Sequence, residues 1–139
     1  MSCKLCFLPL LVVVAALFFA CAPPPPEEDG LDPRLSVLQE KVFRPSCSLG
    51  YCHDSDEPIR GLSLDAADLH AAIVDVDSTL AGWKYVVPGA PESSLLLQVL
   101  KGRVDSMDQH ASQMPPGDAL AAEKLAAVEA WIAAGAADD

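Results

Sequence analysis

The sequence predicts a small all-α domain that follows an export signal and a proline-rich tether. The chain has 139 residues, which is about the length of one domain. Between residues 31 and 136, apolar residues recur at helical spacing in four segments that are separated by proline- and glycine-containing stretches. Before residue 31 an apolar run gives way to prolines and acids. We therefore divide the chain into residues 1–20, 21–30 and 31–136.

The start of the chain has the pattern of a bacterial lipoprotein signal. Lys4 precedes an apolar run from Leu5 to Ala20, and the residues around Cys21 resemble a lipobox, in which this cysteine is lipidated. An uncleaved membrane helix is the alternative, but the run contains Pro9 and is shorter than the roughly 20 residues that a span prefers. Either interpretation predicts an extracytoplasmic, membrane-anchored protein, facing the periplasm or held at the outer membrane.

A tether and an acidic surface follow from the composition. Pro23–Pro26 favour an extended polyproline II rod, and the acids after them keep it solvated. The formal net charge of the chain is -11. Such a surface repels phosphate backbones, so nucleic-acid binding is not expected, and it favours a basic protein partner.

The first helix is predicted to begin at Asp32-Pro33, because aspartate can cap a helix and proline suits its first position. Leu35, Leu38 and Val42 then share one face. Pro45 should end this helix, since a proline disfavours the α conformation in the residue before it.

Three further helices are predicted from the same spacing. The second covers residues 65–76, with Leu69, Ile73 and Val76 as its buried side, and an extended piece follows at 83–87. The third runs from near Pro91 to Gly102 and carries Leu95, Leu96, Val99 and Leu100. The last starts at Asp118 or Ala121, ends at Ala134 before the stop residue Gly135, and carries Leu125, Val128 and Ile132 on one stripe.

The segment between the first two helices indicates a specific chemistry. It reads Cys47-Ser48-Leu49-Gly50-Tyr51-Cys52-His53, and a cysteine followed by Cys-His is the arrangement that attaches c-type haem. The thiols bond to the porphyrin, and the imidazole becomes the proximal iron ligand. The usual spacing has two residues between the cysteines, whereas this chain has four. The loop must therefore bulge to aim both sulfurs at one porphyrin, and Gly50 can adopt the positive φ that allows it.

Other interpretations of the same residues stay open. Cys47 and Cys52 could form a disulfide, because an exported domain meets an oxidising compartment. They could also bind zinc or copper with His53, completed by His110 or Met114. An enzyme is not predicted, because the chain has no glycine-framed serine nucleophile and no third group that would orient a cysteine–histidine pair.

The order of helix, Cys-Cys-His, two helices, methionine loop and terminal helix resembles that of small class I c-type cytochrome domains. Such domains are found in lipoproteins of myxobacteria and in related envelope proteins of planctomycetes. The similar stretches cover nearly all of residues 31–136, and they are Val42–Cys47, Cys52–His53, Gly61–Leu64, Val87–Leu95, Met114–Gly117 and Trp131–Ala136.

The resemblance implies a cytochrome c-like fold with one covalent haem c. Cys47 and Cys52 would carry the thioether bonds, His53 would be the proximal ligand and Met114 the distal ligand. Two prolines after Met114 stiffen the loop that would hold its thioether near iron, and His110 in the same loop is the alternative ligand.

The function implied by the resemblance is single-electron transport in the cell envelope, without catalysis. The partners would be a membrane, through the lipid anchor, and a basic redox protein. The alternative function is a haem-free lipoprotein interaction module that is stapled by a Cys47–Cys52 disulfide. In either case Phe43 and Trp131 are expected in the core where the first and last helices cross, and His70 is expected to be structural or exposed.

Overall fold

A computed structural model describes residues 30–50, 52–54, 56–103 and 113–139. Its helical elements are α1 Leu35–Leu38, a π-helical turn Gln39–Phe43, α2 Arg44–Cys47, a 3-10 turn Ile59–Gly61, α3 Leu69–Ile73, a 3-10 turn Pro91–Ser93, α4 Leu95–Leu100 and α5 Ala122–Ala133. Over these residues the structure contains isolated β-bridges but no strand, so the all-α prediction is confirmed.

Several predictions concern residues outside the described ranges. These are the signal segment, the lipidated Cys21, the tether up to Asp29 and the alternative ligand His110. Among the residues that are described, no helix is both long enough and apolar enough to cross a membrane.

The prediction that Pro45 ends the first helix is wrong. α1, the π-helical turn and α2 follow one another without a break up to Cys47. A π-helical turn pairs each N–H with the carbonyl five residues back, and the Ser48 N–H still donates to the Phe43 carbonyl at 3.0 Å. Pro45 lies in the first turn of α2, where the bonding pattern changes and its missing N–H costs little. The helix therefore carries Cys47 directly to the loop of interest.

The second helix is shorter than the predicted range of residues 65–76. The structure has α3 only over Leu69–Ile73, and Val76, expected on its buried face, lies beyond the helix. Val74 adopts an extended conformation and forms a parallel bridge with Val86. Because β-branched residues pack well in extended pairs, contact with the segment before α4 overrides the helical periodicity of these residues.

The core lies where α1 and α5 pack together, with α3 and α4 beside them. Phe43 is completely buried and Trp131 nearly so, which confirms both as core residues. His70 is structural, because its Nε2 donates to the Ala136 carbonyl at 3.0 Å. The Trp131 indole N–H likewise donates to the Ala137 carbonyl at 2.9 Å, so the segment after α5 is held against the body of the domain.

The fourth helix agrees with the sequence, whereas the third begins later than the predicted start near Pro91, because the extended Ser94 separates the 3-10 turn from α4. α4 follows the 3-10 turn at Pro91, and α5 ends before Gly135, whose φ of 108° stops the helix. Of the two predicted starts for α5, the structure favours Ala121, which is the N-cap residue without a side-chain cap.

The cap of α1 differs from the prediction. Asp32 bonds to the Arg34 N–H at 3.0 Å rather than to the helix. The first N–H groups of α1 are bound by Asp139, whose Oδ1 accepts from Leu35 at 2.8 Å and whose backbone oxygen accepts from Ser36 at 3.0 Å. The cap is therefore supplied by a residue 104 positions away in the chain.

Candidate functional site

An apolar cleft opens between the end of α2, the 3-10 turn Ile59–Gly61, α4 and the segment 114–116. Its empty space, including the part open to solvent, is about 610 Å³. The lining residues are Ser46, Cys47, Cys52, His53, Ile59, Leu62, Leu64, Leu96, Val99, Leu100, Met114, Pro115 and Pro116.

The fold brings together four residues that the sequence singled out. Cys47, Cys52, His53 and Met114 all line this cleft, although Met114 comes from a distant part of the chain. The remaining lining is almost entirely aliphatic or proline. The cleft therefore combines a few ligand-type side chains with a large apolar wall, the composition typical of a cofactor site.

The loop between the cysteines is closed by hydrogen bonds and turned by Gly50. The φ of Gly50 is 67°, which confirms the predicted left-handed residue. The His53 N–H donates to the Cys47 carbonyl at 3.1 Å, and the Ser48 hydroxyl donates to the His53 carbonyl at 3.0 Å. Cys52 is fixed in turn, because its carbonyl accepts from Ile59 at 2.7 Å. These bonds bring both cysteines to one cleft despite their unusual spacing.

The imidazole of His53 is fixed by a backbone carbonyl. Its Nδ1 lies 2.9 Å from the carbonyl oxygen of Leu62, which can only accept, so Nδ1 carries the proton. Nε2 is then the nitrogen with the lone pair. The backbone of His53 is held as well, because its carbonyl accepts from the Leu64 N–H at 2.8 Å. This is the arrangement that orients histidines which bind metal ions.

The two thiols are free in the structure and differ in environment. Cys47 is half-buried and Cys52 is exposed. Burial, together with the neighbouring Cys52, raises the pKa of the Cys47 thiol to about 11, against a smaller opposing effect of Lys124. A nucleophilic cysteine requires a lowered thiol pKa, because the thiolate is the attacking species.

The end of α4 holds Met114 at the cleft. Its side chain is half-buried against the core, and its N–H donates to the Val99 carbonyl at 2.9 Å. Pro115 and Pro116 follow and also line the cleft. A backbone bond and two stiff residues therefore limit where the thioether can move.

Sequence reasoning missed two features beside the cleft. The first is the Leu62 carbonyl that orients His53, which no side-chain pattern could reveal because it is a backbone group. The second is the Ser63 hydroxyl, which is buried between two lining residues and has no hydrogen-bond partner among the described residues. A buried hydroxyl left without a partner lowers the stability of the fold.

The zinc or copper alternative requires a cluster of ligands. Across the described ranges, no group of three or more His, Cys, Asp and Glu side chains is arranged to hold a metal ion. What the cleft does contain is one oriented imidazole, one thioether and two thiols along its apolar lining.

Comparison with protein-family models, with curated proteins and with solved structures finds no match to this chain. The function is therefore inferred from the cleft and its chemistry.

Proposed function

We propose that the protein is a monohaem c-type cytochrome-like lipoprotein that carries single electrons in the cell envelope. The observation that supports this proposal is the shared cleft, where both cysteines, the adjacent histidine and the loop methionine meet on one apolar wall. A covalent haem would make use of all four of these side chains at once.

The donor set fits a covalent haem. Cys47 and Cys52 supply two thiols on one loop, His53 supplies an imidazole whose Nε2 has its lone pair, and Met114 supplies a soft thioether. A haem c held by this set supplies a reversible one-electron change at its iron. The aliphatic lining would exclude water, and a methionine ligand raises the reduction potential relative to a second histidine.

The proposed redox partner is a basic protein that approaches beside Cys52. Of the described large apolar side chains, Leu49 and Ile59 are the exposed ones, at 64 % and 49 %. Both lie near Cys52, and the exposed acids Asp56 and Glu57 lie between His53 and Ile59 in the chain. A cationic surface with an apolar centre complements this arrangement, and its association rate would fall as salt is added. The lipid on Cys21 would hold the complex at the membrane.

Haem staining on a denaturing gel tests the proposal directly. The full chain is co-expressed with a c-type maturation system, and a pyridine haemochrome spectrum is taken from the same band. The double variant Cys47→Ala/Cys52→Ala should lose covalent haem, because it removes both of the proposed thioether bonds. Cys3→Ala/Cys6→Ala makes the same change in the signal segment and should keep the stain.

A colourless wild-type band would refute the cytochrome function. If Cys47 and Cys52 were also protected from thiol reagents until reduction, the alternative of a disulfide-stapled lipoprotein module would replace it. A stained band that persists in Cys47→Ala/Cys52→Ala would contradict the assigned anchoring by these two residues.

A further inference from the structure

A set of ion pairs ties the C-terminal end of α4 to two neighbouring elements. The Lys101 Nζ lies 3.2 Å from Glu92 Oε1 and 2.9 Å from Glu129 Oε1, and the Arg103 Nη1 lies 2.9 Å from Glu92 Oε2. Glu92 belongs to the 3-10 turn Pro91–Ser93, and Glu129 belongs to α5. We name these four residues the α4 clamp. Lys101 is only 13 % exposed, so its ammonium is held between the two carboxylates rather than free in solvent.

A buried polar side chain holds the turn that carries Glu92. Gln98 is 3 % exposed in an otherwise apolar helix, and its amide donates to the Glu92 carbonyl at 3.2 Å and, more weakly, to the Pro91 carbonyl at 3.4 Å. Buried amides remain in native structures where they are hydrogen-bonded. Gln98 therefore fixes the turn that carries Glu92 relative to α4.

The same end of α4 anchors Met114. Gly102 adopts a φ of 66°, its N–H donates to the Val99 carbonyl at 3.2 Å, and the Arg103 N–H donates to the Gln98 carbonyl at 2.9 Å. This is a Schellman motif, which ends the helix and satisfies its last carbonyls. The Met114 N–H donates to that same Val99 carbonyl at 2.9 Å. The clamp therefore holds the same helix end to which the Met114 backbone is hydrogen-bonded.

We propose that Glu92 is a positioning residue for Met114, acting through the α4 clamp and the shared Val99 carbonyl. Glu92 is the member of the clamp that contacts both Lys101 and Arg103, so its loss frees the start of the loop that leads to Met114. The role of Met114 as an iron ligand rests on the proposed function. The hydrogen bond between the Met114 N–H and the Val99 carbonyl does not rest on that function, because it is part of the fold.

The test compares Glu92→Gln with Glu40→Gln in the full chain. The two glutamates are matched, since each side chain is 64 % exposed and each bonds to a lysine, at 3.2 Å for Glu92 and at 2.7 Å for Glu40. Two readouts are used: hydrogen exchange of the Met114 amide, and the affinity of the ferric protein for added imidazole. Because exposed ion pairs contribute modestly, we expect Glu92→Gln to raise both about three- to tenfold and Glu40→Gln to change neither. In roughly 1 M salt the Debye length is about 3 Å, which weakens these ion pairs. The Met114 exchange rate and the imidazole affinity of the wild type should then approach those of Glu92→Gln.

The exchange of the Phe43 amide in the π-helical turn separates positioning from general loss of stability. Equal acceleration at Phe43 and Met114 would overturn the proposal, as would equal behaviour of the two glutamate variants. A colourless protein with faster Met114 exchange only in Glu92→Gln would refute the haem function and keep the anchoring by Glu92. A coloured protein with unchanged Met114 exchange would refute the anchoring and keep the haem function.

Discussion

Replacing Gly50 by alanine tests whether the left-handed turn between the cysteines holds the loop in shape. The φ of Gly50 is 67°, and an added Cβ would meet no heavy atom within 4 Å. The substitution therefore causes no clash, and its effect comes from the backbone alone. A residue with a Cβ in this conformation costs roughly 1–2 kcal/mol. We expect a loss of about 1 kcal/mol in the free energy of unfolding.

Urea denaturation followed by circular dichroism measures this loss. Gly30→Ala is the matched control, because a Cβ there also meets nothing within 4 Å and the residue has no left-handed φ. It should be neutral or slightly stabilising, since alanine restricts the unfolded chain more than glycine does. Gly50→Asn should recover part of the loss, because asparagine tolerates the left-handed region. If Gly50→Ala and Gly30→Ala had the same stability, the loop would not depend on this turn.

Three further predictions concern the proposed haem-binding residues Met114 and Cys47. Met114→Ala should leave the haem attached, lower its reduction potential and remove the weak methionine-to-iron absorption band, because the thioether bonds come from the cysteines; an unchanged spectrum would exclude Met114 as the ligand. In haem-free protein at pH 8, Cys47 should react with iodoacetamide far more slowly than Cys52, because burial raises the pKa of the Cys47 thiol from 9.0 to about 11 and removes most of its thiolate. The raised pKa also means that Cys47 contributes stability below pH 9 that is lost as the pH rises toward 11, so a flat stability profile over that interval would contradict the burial.

Features that depend on local chemistry could be read from the sequence. The apolar spacing of α1 and α5 identified Leu38, Val128 and Ile132 as buried residues, because the period of a helix fixes which side chains share a face. The positive φ of Gly50 followed from a geometric need, since the cysteine spacing cannot place both sulfurs on one helical face.

Features that depend on distant partners could not be read in this way. Pro45 lies inside a helical stretch because a π-helical turn precedes it, and no residue pattern marks such a turn. The second helix is short because Val74 pairs with Val86, a contact that depends on tertiary structure. The orientation of His53 depends on the Leu62 carbonyl, and every residue except proline offers the same backbone groups.

The contact between Asp139 and the start of α1 has a consequence for the order of folding. It joins residues 104 positions apart, and the length-dependent entropy of closing such a loop is about 4 kcal/mol. A chain that emerges from its N-terminus therefore presents the helix leading to Cys47 long before the cap of that helix is available. That helix gains this cap only after α5 and the residues beyond it have emerged, so the segment that leads to the thiols is completed late although it is made early.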